Sequence, residues 1–345
     1  MSKVVNVLIV TGSTPLTSRQ LPGGRPCLES SGRLYHFFFN AMPDGLRPDA
    51  VVVRNKCLRQ VCHFDVAPAN TLLMLSEPPS VCLFPESYTR QFGRLHTCQA
   101  GMSRPNAHFG PAALPWFVGF DVQAGQDTRF SISYDDLASS ALPAKSKRLS
   151  LITSSKCFTL GHVKRLRFVR GLLKAFPGQI DVFGRGFNEV GDKWDALAPY
   201  KYTIAIENCR AEHYWTEKLS DAFLAGCHVV YSGAPDVRRY FPDAPMTEID
   251  VTNLSSACAA ISRLLDSDPY DSEVGALRQA RRDVMDKYNI FRLIAGHLDQ
   301  MDFDIPRADG VTLSPIGAVA GFPNVINHTL VWPFWKAVAR LSRLS

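Results

Sequence analysis

The segment 202–233 reads YTIAIENCRAEHYWTEKLSDAFLAGCHVVYSG and contains the features that decide the fold class. It opens with an apolar run, 202–206, of the kind that is typical of a strand covered on both faces. An apolar-periodic helix is predicted over 217–225, and Gly226 is a suitable residue to end it. A second apolar run, 228–231, follows directly. The segment therefore predicts a strand–helix–strand unit, which is the building block of a parallel sheet.

The same alternation extends in both directions along the chain. Further strands are predicted at the apolar runs 4–10, 49–53, 71–75, 96–98, 149–153, 179–183 and 246–251. Further helices are predicted over 30–42, 160–176, 254–266 and 272–301, the last with a kink near Asn289. This order predicts an α/β protein with two doubly wound, Rossmann-like domains.

A segment rich in Ser, Ala, Pro and Lys, 121–147, has the composition of a linker. It places an N-terminal domain at 1–145 and a second domain at 146–305, followed by a C-terminal tail at 306–345. We expect ligands at the carboxyl ends of the strands in each domain, because open parallel sheets bind ligands there.

The composition excludes several classes of function. The 345 residues carry a net charge of only +6 with no long Lys/Arg block, which argues against nucleic-acid binding and suits phosphate ligands. The nine cysteines form no Cys-x-x-Cys pair, so a reduced, cytoplasmic protein without a disulfide framework is expected. No apolar segment reaches 18 residues, which argues against an integral membrane protein.

Lys218 falls in the first turn of the helix predicted over 217–225. A cation is disfavoured there because the helix N-terminus carries positive partial charge, which attracts anions and phosphates in particular. A bound phosphate between Lys218 and the helix N-terminus would remove the conflict, whereas an ion pair with Asp221 or Asp192 would remove it without a ligand. Glu207 and Asn208 end the preceding strand and are expected to point into a ligand cleft.

The segment 200–233, followed by Ala-Pro at 234–235 and Tyr-Phe-Pro at 240–242, resembles the donor-binding motif of glycosyltransferase family 10, the α-1,3/1,4-fucosyltransferases. That motif is an aromatic-rich strand, Glu-Asn-Ser/Thr, a loop, Tyr-x-Thr-Glu-Lys, a short helix and a strand ending in Tyr-x-Gly-x-Pro. The sequence departs from the family at Cys209, in place of Ser or Thr, and at His228, in place of a common Pro.

The resemblance implies a GT-B-like fold, in which two Rossmann-like domains face a cleft, and inverting transfer of fucose from GDP-fucose. It implies that Tyr214, Glu217, Lys218 and Asn208 hold the donor, with Lys218 on a phosphate and Glu217 on hydroxyls of the ribose or sugar. Taken singly, Glu217 also has an ordinary role as a favourable charge at a helix N-terminus.

A basic helix start at 161–173, GHVKRLRFVRGLL, matches the family segment that contacts the donor pyrophosphate. Arg165 aligns best by its spacing to the apolar positions, and Arg167 is a close rival. Lys156 is a third candidate for phosphate binding. Periodicity alone would place these cations on a solvated helix face.

Glu77 follows the apolar strand 71–75 and precedes two prolines, in a stretch that resembles the Glu-Ser-Pro segment whose glutamate is the family's proposed base. Inverting transfer needs such a group to take the proton of the acceptor hydroxyl. A loop carboxylate paired with an arginine is the alternative role for Glu77, and Glu86 is the rival residue for the base.

No obligatory metal or other cofactor is expected. The Asp-x-Asp triplets at 302–304 and 266–268 do not follow strands that enter the donor site. His63, His96 and His108 show no metal-ligand spacing and are set aside. Cations and a helix N-terminus are therefore expected to neutralise the departing diphosphate.

The tail from 328 to the end, HTLVWPFWKAVARLSRLS, predicts a basic amphipathic helix. It fits peripheral contact with a membrane surface as well as it fits a final helix packed on the protein. We therefore expect a bacterial-type fucosyltransferase, cytoplasmic or on the inner face of the membrane, that acts on a polysaccharide or glycolipid. The alternatives are a non-catalytic nucleotide-sugar-binding protein, a transferase of a different sugar, and a nicotinamide oxidoreductase that lacks the usual glycine fingerprint.

Overall fold

The computed structural model describes residues 2–12, 16–102, 104–121, 130–155, 160–307 and 309–319. Contacts divide the described chain into two compact units. The first unit comprises the described residues up to 115, 133–135 and 286–319, and the second unit comprises those of 116–132 and 136–285. The limits near 145 and 305 that the composition suggests differ from these, because 286–319 packs with the N-terminal part of the chain.

The first unit is built on a seven-stranded sheet that is parallel except at one edge. Its strands are β1 (Lys3–Val10), β2 (Cys27–Ser30), β3 (Arg33–Phe39), β4 (Ala50–Arg54), β6 (Thr71–Leu75), β7 (Arg94–Thr97) and β8 (Ala107–Phe109), in the order β2-β3-β1-β4-β6-β7-β8. β5 (Cys62–Phe64) pairs antiparallel with β14 (Val311–Leu313). β4 and β6 are buried along their whole length, which explains their continuous apolar sequences.

The second unit is built on a five-stranded, fully parallel sheet. Its strands are β9 (Lys147–Ile152), β10 (Asp181–Phe183), β11 (Tyr200–Ile206), β12 (His228–Ser232) and β13 (Met246–Glu248), in the order β10-β9-β11-β12-β13. The chain runs outward from β9 to β10 and then returns to build the other side from β11. The position between β9 and β11 is therefore the topological switch point, where open α/β sheets bind ligands.

The helices complete both units. They are α1 (Glu86–Thr89), α2 (Tyr134–Ser139), α3 (Leu160–Ala175), α4 (Glu217–Leu224), α5 (Val237–Tyr240), α6 (Leu254–Ser267), α7 (Tyr270–Arg282), α8 (Ile290–Leu298) and α9 (Ile316–Val319), with a π-helical turn at Asp283–Lys287. In the part of the chain that the structure covers, no helix has the length and apolar character needed to cross a bilayer. The α/β class with two Rossmann-like units is confirmed, since each unit has its own largely parallel sheet.

The helix predicted over 30–42 is wrong, because the segment forms the turn and second strand of a β-hairpin. Ser31 and Gly32 both have positive φ, at 48° and 74°, as the two-residue hairpin turn requires. β2 and β3 flank the turn, and Tyr35 and Phe37 alternate into the core with a period of two. The aromatic residues therefore mark a half-buried strand rather than a helix face.

The interruption predicted near Asn289 is present, but it separates two helices, α7 and α8, instead of bending one helix over 272–301, and α8 lies in the first unit. The Asn289 side chain accepts a hydrogen bond from the backbone N–H of Phe291 and so caps the N-terminus of α8. Ile290, Phe291 and Ile294 on α8 are fully buried in the core of the first unit. The predicted amphipathic helix of the tail lies outside the described residues.

Candidate functional site

Glu207, the first residue after β11, is buried with its side chain fully enclosed. Its carboxylate accepts hydrogen bonds from the Thr216 backbone N–H at 2.8 Å and from the Thr216 hydroxyl at 2.8 and 2.9 Å. Burial raises the pKa of Glu207 above its ordinary value, although the Lys218 ammonium opposes the rise. Glu207 thus links the end of β11 to the start of α4. The prediction that its side chain points into a ligand cleft is wrong.

Lys218 is the second residue of α4, as predicted, and Thr216 is the N-cap. The Lys218 ammonium lies 3.1 Å from Glu207 and 3.6 Å from Glu217, and it donates to the Thr216 hydroxyl at 3.1 Å. Burial would lower the pKa of Lys218, but the two carboxylates outweigh it and the pKa is raised. The ammonium remains charged and its side chain is 23% exposed, so one face can still meet an anion.

A second lysine, Lys193, joins this charge cluster and has no counterpart in the sequence-based prediction. Its ammonium lies 3.0 Å from Asp221 and 3.4 Å from Glu217. Asp221 also accepts from the backbone N–H groups of Phe117 and Val118, at 2.8 and 3.3 Å. Asp221, which the sequence offered as a partner of Lys218, is therefore bound to Lys193. Burial raises the pKa of Asp221, with the Lys193 charge acting against it.

Glu217 is the carboxylate that both lysines share. Burial alone would raise its pKa, but the Lys218 and Lys193 charges outweigh burial and hold the pKa at about 2. The group is therefore an ionised acceptor at any neutral pH. Lys193 and Lys218 also line a cavity of about 20 Å³, which has room for about one water molecule.

Arg165 reaches the same strand end from α3. It is 6% exposed, and its guanidinium donates to the Asn208 side-chain oxygen at 2.6 Å and to the Ser154 carbonyl at 3.3 Å. Ser154 follows β9 and Asn208 follows β11, so Arg165 lies at the switch point of the sheet. Its charge also lowers the pKa of Lys218, in opposition to the carboxylates, which shows that the two cations are close enough to repel each other.

The rival Arg167 is exposed, so α3 turns Arg165 and not Arg167 toward the strand ends. Tyr214 is buried. Trp215 packs edge-on against Tyr240 and Phe241, with ring centroids 5.8 and 5.2 Å away. Lys156 lies outside the described residues. The structure therefore gathers Arg165, Asn208, Glu217 and Lys218 at one sheet edge.

Glu77 lies in the first unit, two residues beyond the end of β6, and is half-buried. Its carbonyl oxygen accepts a hydrogen bond from the Gln99 side chain at 2.7 Å, which fixes the backbone of the loop. Burial lowers the pKa of the neighbouring Arg54 to about 10, while the charges of Cys57 and Glu77 oppose the change. The rival Glu86 is exposed and forms an ion pair with Arg90 at 2.7 Å.

Comparison with known protein families identifies the class of the second unit. Residues 142–270 match the sequence model described as "Glycosyltransferase family 10 (fucosyltransferase) C-term". That segment contains β9 to β13 and all four residues gathered at the sheet edge. Residues 142–270 are therefore similar to this domain of family 10, and the resemblance stated from the sequence is confirmed.

Two curated proteins of Arabidopsis thaliana are similar over parts of the chain. An alpha-(1,4)-fucosyltransferase is 31% identical over 170 residues, which are 41% of this chain and 40% of the relative. A fucosyltransferase-like protein is 30% identical over 116 residues, 33% of this chain and 22% of the relative. The chain therefore matches less than half of the length of either relative.

Solved structures with similar architecture include an alpha1,3-fucosyltransferase with GDP and the trehalose-6-phosphate synthase OtsA. The fucosyltransferase has a TM-score of 0.48 at 16% identity, covering 89% of this chain and 93% of the other. The synthase has a TM-score of 0.49 at 9% identity, covering 87% of this chain and 100% of the other.

Proposed function

We propose that the protein is an inverting fucosyltransferase that transfers fucose from GDP-fucose to a hydroxyl of a saccharide acceptor, with an α-1,3 linkage as the expected product. The observation that carries the proposal is the convergence of Arg165 and Lys218 on the Glu207-Asn208 pair at the end of β11. Two fixed cations beside a helix N-terminus, at a topological switch point, suit a diphosphate.

In this proposal Arg165 and Lys218 bind the two phosphates of the donor. Arg165 is held by Asn208 and by the Ser154 carbonyl, and Lys218 is held by Glu207 and Thr216, so neither cation has to be ordered when the ligand arrives. Preorganised charges of this kind stabilise a leaving group without a reorganisation cost at the moment of reaction. Lys156 remains a third candidate for the phosphates.

Glu217 accepts hydrogen bonds from hydroxyls of the ribose or the sugar, and Tyr214 packs beside the donor. The low pKa of Glu217 supports this role, because an ionised carboxylate is an acceptor for two adjacent hydroxyls. The cavity of about 20 Å³ behind Lys218 is too small for a nucleotide, so the donor binds at the open edge of the sheet.

Glu77 is the proposed base. The oxygen of the acceptor hydroxyl attacks the anomeric carbon, the bond from that carbon to the diphosphate oxygen breaks, and the hydroxyl proton passes to the Glu77 carboxylate. The products are the fucosylated saccharide and GDP. Its position after a buried strand, with the backbone fixed by Gln99, supports this assignment.

Charge neutralisation by these cations makes a divalent metal unnecessary in the proposed reaction. The acceptor is proposed to be a surface polysaccharide or glycolipid that is made at the inner face of the cytoplasmic membrane, which the basic tail would contact. No role for nucleic acid is proposed.

The test is a donor screen. The purified protein is incubated with a panel of GDP-, UDP- and dTDP-sugars in the presence of a chelator, and the released nucleotide is measured with and without saccharide acceptors. We expect more nucleotide to be released from GDP-fucose than from any other donor. The correct acceptor should increase this release.

Two outcomes would redirect the proposal. Preferential release from another nucleotide sugar would make the protein a transferase of that sugar. Tight GDP binding, measured by calorimetry, without release or transfer from any donor would favour a non-catalytic nucleotide-sugar-binding protein.

A further inference from the structure

Three histidines from distant parts of the chain meet in the first unit, well separated in sequence from the donor motif. His96 lies on β7, and His108 is its direct partner on the adjacent strand β8. His297 lies in the last turn of α8. One ring nitrogen from each of these residues lies within 4.8 Å of those of the other two.

We propose that His96, His108 and His297 form a binding site for a divalent transition metal of the Zn²⁺ class. Three imidazoles are a common ligand set for zinc, with water in the fourth position. The sequence-based exclusion of His96 and His108 rested on spacing along the chain, which carries no information about rings that sheet pairing and α8 bring together.

The hydrogen bonds of His96 fix the tautomer that a metal ligand needs. Its Nε2 lies 2.7 Å from the Pro111 carbonyl oxygen, to which only a protonated nitrogen can bond, so Nδ1 carries the lone pair. Histidines that ligate metals usually donate their other N–H in this manner, which fixes the tautomer and the ring orientation.

The nitrogens of His96 and His297 need only a small adjustment to bind one tetrahedral ion, and a nitrogen of His108 lies within 4.8 Å of both. His96 Nδ1 lies 3.0 Å from His297 Nε2, whereas two ligands at about 2.0–2.1 Å from a tetrahedral zinc lie about 3.3 Å apart. In the metal-free state a hydrogen on His297 Nε2 bridges the two nitrogens. When the metal binds, His297 takes the tautomer that is protonated on Nδ1, so no net proton is lost.

The burial of the three rings matches an ion that can enter from solvent. His96 and His297 are buried, whereas His108 is exposed and lies on the solvent side of the cluster. Water then reaches the fourth position from the side of His108. A bound ion would join β7 and β8 to α8, whose residues lie about 190 positions later in the chain, and would stabilise the first unit.

Stacking of the rings without an ion is the competing explanation. The rings of His96 and His108 are stacked with centroids 5.5 Å apart, and the His297 ring lies edge-on to both at 5.1 Å. This arrangement has its own, smaller stabilisation, so the two explanations differ in whether the unfolding temperature responds to metal.

The experiment measures metal binding to the full-length protein after treatment with a chelator and dialysis. Zn²⁺ is titrated against a competing chelator, and Co²⁺ is added separately because its absorption bands report tetrahedral coordination. We expect one Zn²⁺ per chain and an unfolding temperature that rises with Zn²⁺. His108→Gln and His297→Gln are expected to weaken Zn²⁺ binding by at least about 100-fold, since even the loss of a residue that supports a ligand costs about 10- to 100-fold.

The control is His63→Gln, which changes an exposed histidine that contacts Thr312 outside the cluster and should bind Zn²⁺ as the unchanged protein does. His108 is exposed, so in chelator His108→Gln should lose only the small stabilisation from its ring contacts, whereas the rise of the unfolding temperature with Zn²⁺ should disappear, which separates loss of metal from loss of folding. The proposal is overturned if the unchanged protein binds no Zn²⁺, or if His108→Gln and His297→Gln bind it as tightly as His63→Gln does.

Discussion

The charged groups of the second unit and the carboxylate of the first unit are held in different ways. At the end of β11, Lys218, Lys193 and Glu217 are fixed by ion pairs of 3.0–3.6 Å with one another and with neighbouring carboxylates. Glu77, at the end of β6, is positioned through a hydrogen bond to its backbone carbonyl. Fixed cations suit the binding of an anion, and a carboxylate at the end of a buried strand suits proton transfer. The difference predicts that substitutions in the second unit change donor binding and that those at Glu77 change turnover.

The largest effect is expected from Glu77→Gln. The amide cannot accept the hydroxyl proton, so kcat should fall by about 10²- to 10⁴-fold, the usual contribution of general base catalysis. The affinity for GDP, measured by calorimetry, should stay unchanged because the proposed role of Glu77 is toward the acceptor hydroxyl and not toward the nucleotide. Glu86→Gln, which changes the exposed rival, should leave kcat unaltered. An unchanged kcat in Glu77→Gln would contradict the assignment of proton transfer to Glu77 of the first unit.

The next effect is on stability in acid, through Glu217. Its pKa is depressed from 4.5 to about 2 in the folded protein, so its stabilising contribution is present above pH 4.5 and is lost as the pH falls through 2. A depression of this size corresponds to about 3 kcal/mol. Glu217→Gln should therefore lower the free energy of urea unfolding at pH 7. The difference in this free energy between the variant and the unchanged protein should disappear near pH 2.

Glu207 and Asp221 have raised pKa values, so their contribution to the free energy of unfolding increases as the pH falls, opposite to that of Glu217. The comparison between the unchanged protein and Glu217→Gln at each pH isolates Glu217 from them. A gap of the same size at pH 7 and pH 2 would show that the carboxylate is not held by the two lysines.

Lys218→Ala should weaken GDP binding by about 10- to 100-fold, because a hydrogen bond to a charged group contributes about 1.5–3 kcal/mol. The variant also leaves Glu207 buried without its cation, so binding is measured well below its unfolding temperature. Lys147→Ala is the control, since Lys147 is exposed at the opposite end of β9 and pairs with Asp181. Equal affinity in the two variants would contradict a phosphate site at Lys218.

The smallest effect is expected on α3, where a matched pair of arginines sharpens the comparison. Arg165→Gln removes the guanidinium beside Asn208 and should weaken GDP binding by about 10-fold. Arg167→Gln removes an exposed guanidinium two residues away and should leave the affinity unchanged. An effect of Arg167→Gln that matches or exceeds that of Arg165→Gln would reverse the assignment.

The sequence predicts the features that depend on local patterns. The continuous apolar strands β4, β6 and β11 are recognisable because burial on both faces demands them. The position of Lys218 in the first turn of α4 follows from helix periodicity. The helix prediction for 30–42 is wrong because the aromatic residues fit a helical pattern and a strand pattern equally. The turn at Ser31-Gly32 decides for the strand.

The features that escape the sequence depend on pairing between distant segments. Lys193 lies in a short 3-10 helix with no periodic pattern, and only the folded sheet brings it to Asp221. His297 meets His96 from about 200 positions away along the chain. Spacing along the sequence does not indicate such contacts. A Lys or His near the end of a predicted strand or helix is a candidate residue for a contact of this kind.

The packing of α8 in the first unit constrains the order in which a growing chain can fold. Ile290, Phe291 and Ile294 fill the core beneath strands from the first forty residues, yet a ribosome makes them only after every residue of 136–285. The second unit can therefore complete its core during translation, before α8 has been made to cover the strands of the first unit. Newly made chains should expose the apolar face of those strands to chaperones until synthesis has passed residue 298.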